Sequence, residues 1–130
     1  HFKEGSIKFK EKEYTVSELR DFFRRIEKNK QALADFLKGK SVYGYGASTK
    51  ANTILQYYGI TNSSLKGIVD INPDKKGRYT IGTMIPIIDS IPADCEYLWV
   101  FPYGFMDYFK KKEAGFKGKW ITVIPEFKII

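Results

Sequence analysis

Val42-Tyr43-Gly44-Tyr45-Gly46-Ala47-Ser48-Thr49-Lys50-Ala51-Asn52-Thr53 joins an apolar run to two closely spaced glycines, a Ser-Thr-Lys triplet and a helix-like segment. Glycine lets a backbone come close to a ligand. The N–H groups and positive dipole end of the helix that follows offer a seat for an anion, most naturally a phosphate. A tight strand-to-helix turn that needs glycine for its geometry alone is the competing account. The hydroxyls of Ser48 and Thr49 and the charge of Lys50 favour the anion seat. Gly44, Gly46, Ala47, Ser48, Thr49, Lys50 and Asn52 are therefore the candidate diphosphate-binding residues.

The loop departs from three common cofactor patterns. A dinucleotide fingerprint needs a third glycine where Thr49 stands, and a P-loop needs two glycines five residues apart followed by Lys and Ser or Thr. A methyl-donor loop carries an acid just before its glycines, where this chain has Val42.

Outward from the loop, strand-like and helix-like pieces alternate. Residues 41–45 read as a strand and 50–58 as a helix closed by Gly59. Residues 65–71 read as a second strand, ended by the Asn72-Pro73-Asp74 turn. The stretch 75–86 reads as irregular, with weak pairing over 85–88. A third strand is expected over 97–101, a helix over 103–114 and a last strand over 120–124. Upstream, Thr15 and Glu18 make a capping box, with Tyr14 placed to staple onto Leu19. Apolar residues from Leu19 to Leu37 then keep helical spacing up to Gly39, predicting about 22 residues and about 33 Å of helix. Asn29-Lys30 interrupts that stripe, so a bend or break is expected there. Residues 2–13 alternate apolar and charged side chains, so 1–14 reads as an extended arm or short edge strand.

Short apolar strands separated by helices predict a parallel sheet covered on both faces. The fold class is α/β: a small Rossmann-like three-layer domain over 15–130, mostly parallel, preceded by the arm and a long N-terminal helix. Ligands in such sheets sit at the carboxyl ends of the strands, where the strand order reverses. The 44–50 loop, the 70–76 turn and residues 102–105 all fall at strand ends, so they should converge on one edge. That adds Asp70, Asn72, Lys76, Tyr103 and Phe105 as weaker sugar- or base-binding candidates. Asp70 at a strand end suits ribose hydroxyls and equally suits capping its own turn. Lys75, Lys76 and Arg78 flank a glycine in an expected loop and could reach a phosphate, but they read more simply as a solvated charge run.

Composition removes several functions. The 130 residues are 43% hydrophobic and 16% aromatic, enough for one globular core. Cys95 is the single cysteine and His1 the single histidine, which excludes a disulfide framework, a Ser–His or Cys–His catalytic pair and the usual zinc ligand sets. The net charge of +7 is spread along the chain, +4 over residues 1–40 and +3 over the rest. That diffuse balance suits an anionic small molecule rather than nucleic acid, which asks for a concentrated stripe. No run approaches the roughly 18 apolar residues of a membrane span, and a cytoplasmic location is expected.

The stretch 42–60, with its GYGAS-K-NT sequence, resembles a signature of the carboxyl-terminal domain of sugar-nucleotide C-methyltransferases. Val69-Asp70-Ile71-Asn72-Pro73-Asp74-Lys75-Lys76-Gly77-Arg78-Tyr79 is similar to that family's D-NP-K-G-Y segment, and Ile81-Gly82-Thr83-Met84-Ile85-Pro86-Ile87 to its PGT-IPI segment. Order and spacing agree over residues 14–125. The resemblance implies an accessory domain that holds a nucleoside-diphosphate deoxysugar against an upstream catalytic domain. That other domain binds S-adenosylmethionine, so no cofactor is expected in this chain. The resemblance carries over onto Gly46, Ser48, Thr49, Lys50 and Asn52 in the loop, and onto Asp70, Asn72, Pro73 and Lys76 in the second segment. Ile81 stands where the family often has proline, and Tyr103-Gly104-Phe105 where Trp-Asn-Phe is common.

No residue stands out as the proton acceptor that carbanion-forming methyl transfer needs, so the chain is not expected to complete the reaction alone. Two rival readings follow from the same residues. One is an interaction module that docks through the helix over 16–38. The other is a free-standing nicotinamide- or methyl-donor-binding domain, against which the absent third glycine and absent acid count.

Overall fold

The structure, a computed structural model, describes residues 6–9, 12–101, 104, 106–123 and 128–130. Eight strands and three helices follow one another among these residues. Strands β1 (Ser6–Phe9) and β2 (Lys12–Thr15) pair antiparallel with each other, Ser6 opposite Thr15 and Phe9 opposite Lys12, as a separate two-stranded sheet. The arm is thus paired with itself rather than laid on the edge of the main sheet.

Helix α1 (Val16–Leu37) starts where the Thr15 hydroxyl accepts the Glu18 N–H at 3.1 Å. Gly39, at φ +70°, lets the chain turn back two residues past its end. The helix runs unbroken through Asn29-Lys30, against the expected break. Asn29 instead reaches inward, donating to the Val123 carbonyl at 2.8 Å and the Tyr58 hydroxyl at 3.1 Å. A polar residue on the apolar stripe is there because two oxygens face it. The predicted Tyr14 staple lies outside the described side chains.

The main sheet has the order β5-β4-β3-β6-β7-β8, with β3 (Val42–Tyr45) at the centre and fully buried. Parallel neighbours β4 (Ile68–Val69) and β5 (Ile87–Ile88) lie to one side of it. On the other side lie parallel β6 (Tyr97–Val100) and β7 (Lys119–Thr122), and antiparallel β8 (Lys128–Ile129) at the edge. Strand β4 is shorter than the expected 65–71, yet ladder bonds continue around it, from Lys66 N–H to the Val42 carbonyl and from Asp70 N–H to the Ile88 carbonyl. The stretch expected to be irregular folds back along β5. Gly77 donates to the Ile87 carbonyl, Ile87 to that of Arg78 and Thr80 to that of Ile85.

Helix α2 (Thr49–Tyr58) carries the chain from β3 to β4, and α3 (Met106–Lys112) carries it from β6 to β7. These crossovers move in opposite directions along the sheet, so a right-handed connection places them on opposite faces. The packing agrees. Ala51, Ile54, Leu55 and Tyr58 of α2 join Leu33 and Leu37 of α1 over Val42, Trp99 and Ile121. Met106 and Phe109 of α3 lie over Tyr43, Tyr45, Leu98 and Trp120. The result is the three-layer, mostly parallel α/β fold expected, with the strand order reversing between β3 and β6.

Candidate functional site

The loop after β3 leaves the sheet at that reversal. Its glycines serve different ends. A Cβ on Gly44 would stand 2.7 Å from Phe101 Cε2 and 3.2 Å from Ile68, so this residue makes room for the core. Gly46 lies at φ +96°, a conformation that side chains other than glycine's rarely adopt, and it turns the chain out of the sheet. Ser48 then caps α2, its hydroxyl accepting the Ala51 N–H at 3.1 Å while its carbonyl accepts the Asn52 N–H at 3.0 Å.

The loop amides are more engaged than a bare anion seat requires. Gly46 N–H is held by the Val69 carbonyl and Ser48 N–H by that of Gly46, at 2.8 and 3.0 Å. Ala47 N–H donates to Asp70 Oδ2 at 2.8 Å. An anion is therefore already present at the loop, and it is the chain's own carboxylate. The first turn of α2 follows directly, with Thr49 and Lys50 exposed.

Asp70 ties together two of the expected segments. Its Oδ1 accepts the Asn72 N–H at 2.8 Å, and Asn72 Oδ1 accepts the Asp74 N–H at 3.0 Å, building the turn. The same carboxylate, only 13% exposed, caps that turn and grips the loop. The turn closes from Lys75 N–H to the Asn72 carbonyl at 3.1 Å, which brings Lys75 back over the strand end. Its ammonium donates to the Ala47 carbonyl at 2.7 Å and lies 3.6 Å from Asp70 Oδ2. Lys76 points elsewhere, to Asp89 Oδ2 at 2.8 Å.

Of the predicted residues, the structure thus brings together Gly46, Ala47, Ser48, Thr49, Lys50, Asp70 and Asn72. Gly44 and Asn52 flank them, in the strand and in the helix. Lys76 stands apart, and Tyr103 and Phe105 lie outside the described residues. Lys75, which the sequence offers only as one of three cations able to reach a phosphate, is the one that folds back. The available signal was its place at the closing position of a turn that begins at Asn72, whereas Lys76 lies one residue beyond the closure.

Two titratable groups of the sheet, Tyr45 beside the loop and Cys95 at the opposite edge, are held neutral. Burial, then the Glu113 carboxylate that accepts the Tyr45 hydroxyl at 3.1 Å, push the Tyr45 phenol above its ordinary range. Burial pushes the Cys95 thiol up to about 12, which leaves no thiolate for nucleophilic work. Among the described residues no group of three His, Cys, Asp or Glu side chains is placed to hold a metal ion. None of their helices is long and apolar enough to cross a membrane.

A comparison with curated proteins finds no match. A family model described as the C-methyltransferase C-terminal domain matches residues 5–125, nearly the whole chain. That span contains both crossovers, the glycine loop and the Asp70 turn, so the chain belongs to the C-methyltransferase C-terminal domain family.

Proposed function

We propose that this domain binds the nucleoside-diphosphate sugar acceptor of a C-methyltransferase, presenting it to a catalytic domain that carries S-adenosylmethionine. The observation that carries this reading is the position of the Gly46–Lys50 loop, at the carboxyl edge where the strand order reverses. There the first turn of α2 offers N–H groups and dipole to a diphosphate, with Lys50 beside it. The Asp70 turn forms the adjoining wall. Asn72 and the segment 103–105 are assigned to the sugar and base.

The donor belongs on another domain. Val42, where a methyl-donor loop carries its acid, is wholly buried in the core. Asp70, whose place at a strand end suits the ribose hydroxyls of a donor nucleotide, already accepts the Ala47 and Asn72 amides.

A second reading rests on α1. The Asn29 contact to Val123, one residue past the end of β7, marks where α1 passes the carboxyl edge of the sheet. The thirteen residues Val16–Lys28 precede it, about 20 Å of helix with Phe22 and Phe23 exposed and Glu27 accepting the Tyr57 hydroxyl of α2. In this reading that N-terminal half docks the domain onto its catalytic partner, and the loop only shapes a turn. Titration calorimetry with nucleoside-diphosphate sugars separates the two. Binding that Gly46→Val and Lys50→Ala both weaken supports the acceptor site. Binding indifferent to both changes refutes the loop assignment.

A further inference from the structure

We infer that Lys75, rather than the adjacent Lys76, is the cation that meets the diphosphate, and that it makes the loop selective for phosphate-bearing ligands over nucleosides; this rests on the acceptor-site reading above. The two lysines share one exposed loop and one charge, and the fold treats them differently. Lys76 is 61% exposed and paired with Asp89 on the outer side of the turn, 2.8 Å away. Lys75 is 38% exposed and folded back over the end of β4.

Electrostatics gives Lys75 its role. A dianionic group arriving at the first turn of α2 meets the Asp70 carboxylate held on Ala47 N–H, two residues before Thr49. Two like charges at that separation repel, more strongly in a half-buried setting than in water. Lys75 offsets this repulsion because its ammonium lies 3.6 Å from Asp70 Oδ2. It can also bond directly to phosphate. An ammonium has three N–H donors, and one of them is engaged, at 2.7 Å, by the Ala47 carbonyl. The 3.6 Å approach to Asp70 is an ion contact too long for a hydrogen bond, so donor capacity remains for a phosphate oxygen. A neutral nucleoside gains nothing from either effect.

The test measures affinities of a nucleoside, its monophosphate and its diphosphate sugar for the full chain, in wild type, Lys75→Met, Lys75→Arg and Lys76→Met. The expected result is a loss of about tenfold or more for the diphosphate sugar in Lys75→Met, a smaller loss for the monophosphate and none for the nucleoside. Lys75→Arg should recover most of the affinity, and Lys76→Met should match wild type. Equal losses for all three ligands in Lys75→Met would make the residue a structural tie and overturn the inference. So would wild-type affinity in Lys75→Met, or an equal effect at Lys76. If Gly46→Val leaves diphosphate affinity intact while Lys75→Met reduces it, the loop assignment fails and Lys75 stands. A wild type that binds no diphosphate sugar overturns both.

Discussion

The ring of Phe101 occupies the space beside Gly44 into which a side chain would project, its Cε2 2.7 Å from where a Cβ would stand. Phe101 is itself almost fully buried and stacks at 4.7 Å on Trp99. Gly44→Ala should therefore destabilise the domain by about 1–3 kcal/mol through overpacking. Pairing it with Phe101→Leu should recover part of that loss, since contacting residues are not additive. Urea unfolding of the two single variants and the double variant measures the coupling. Additive losses would show that the ring does not own that space.

Gly46→Ala is expected to act by another route. At φ +96° the cost is backbone strain, about 1–2 kcal/mol. Ligand affinity should fall with stability here, whereas Gly44→Ala should alter stability more than affinity. Thermal unfolding and calorimetry on the same samples separate these effects.

Asn29→Ala should cost roughly 1–3 kcal/mol, because the buried Val123 carbonyl loses its donor. Asn29→Asp should be at least as damaging, since it turns a carboxylate toward that carbonyl. Hydrogen exchange should show the loss spreading into the end of β7. An effect confined to α1 would contradict the assignment of Asn29 as the link between helix and sheet.

Two helix caps of the same chemistry should differ in consequence. Ser48 caps a helix packed on the core, so Ser48→Ala should lower global stability by about 1 kcal/mol. Thr15 caps the N-terminal half of α1, whose residues up to Lys28 are exposed or half-buried. Thr15→Ala should leave global unfolding within about 0.5 kcal/mol and instead fray the first turns, visible as faster exchange of their amides.

The hydrogen bond from the Tyr43 hydroxyl to Asp94 Oδ1, 3.0 Å long, should fail at both ends of the pH scale. Burial first, then this bond, raise Tyr43 from 10.0 to about 12. A folded value above the unfolded one gives stability that is present below pH 10 and lost as pH climbs toward 12. Asp94 moves the opposite way, held below the carboxylate range by the Lys66 ammonium and then by Tyr43. Its contribution is present above the ordinary carboxylate value and disappears as acid protonates it. Tyr43→Phe should flatten the alkaline arm, read by phenolate absorbance alongside unfolding. An unchanged alkaline arm would assign it to Tyr45 and Cys95.

Much of this architecture was legible because hydrophobic period and capping residues act locally. Thr15 with Glu18, the glycine after Tyr58 and the buried run of β3 each announce an element from a few neighbouring residues. What stayed hidden depends on distant partners. Asn29 read as a break because the oxygens of Tyr58 and Val123 are remote in sequence. The pairing of 77–80 with 85–87 was masked by its glycines and proline, and β8 is an edge strand of two residues. At the site, the loop and the Asp70 turn were visible as glycine and Asx chemistry. That Asp70 engages Ala47 N–H, and that Lys75 rather than Lys76 folds back, follows from how the 72–75 turn closes against β3.

The Asp70–Ala47 contact bears on how recognition begins. A loop whose Ala47 N–H is held by an internal carboxylate, and whose Gly46 and Ser48 N–H groups are held by backbone carbonyls, leaves little for association to freeze. Entropy that a floppy glycine hinge would surrender on each encounter has been removed during folding. If the loop is the proposed acceptor site, capture would be a matter of trading water and counter-ions at a preorganised surface, with selectivity set by one neighbouring charge.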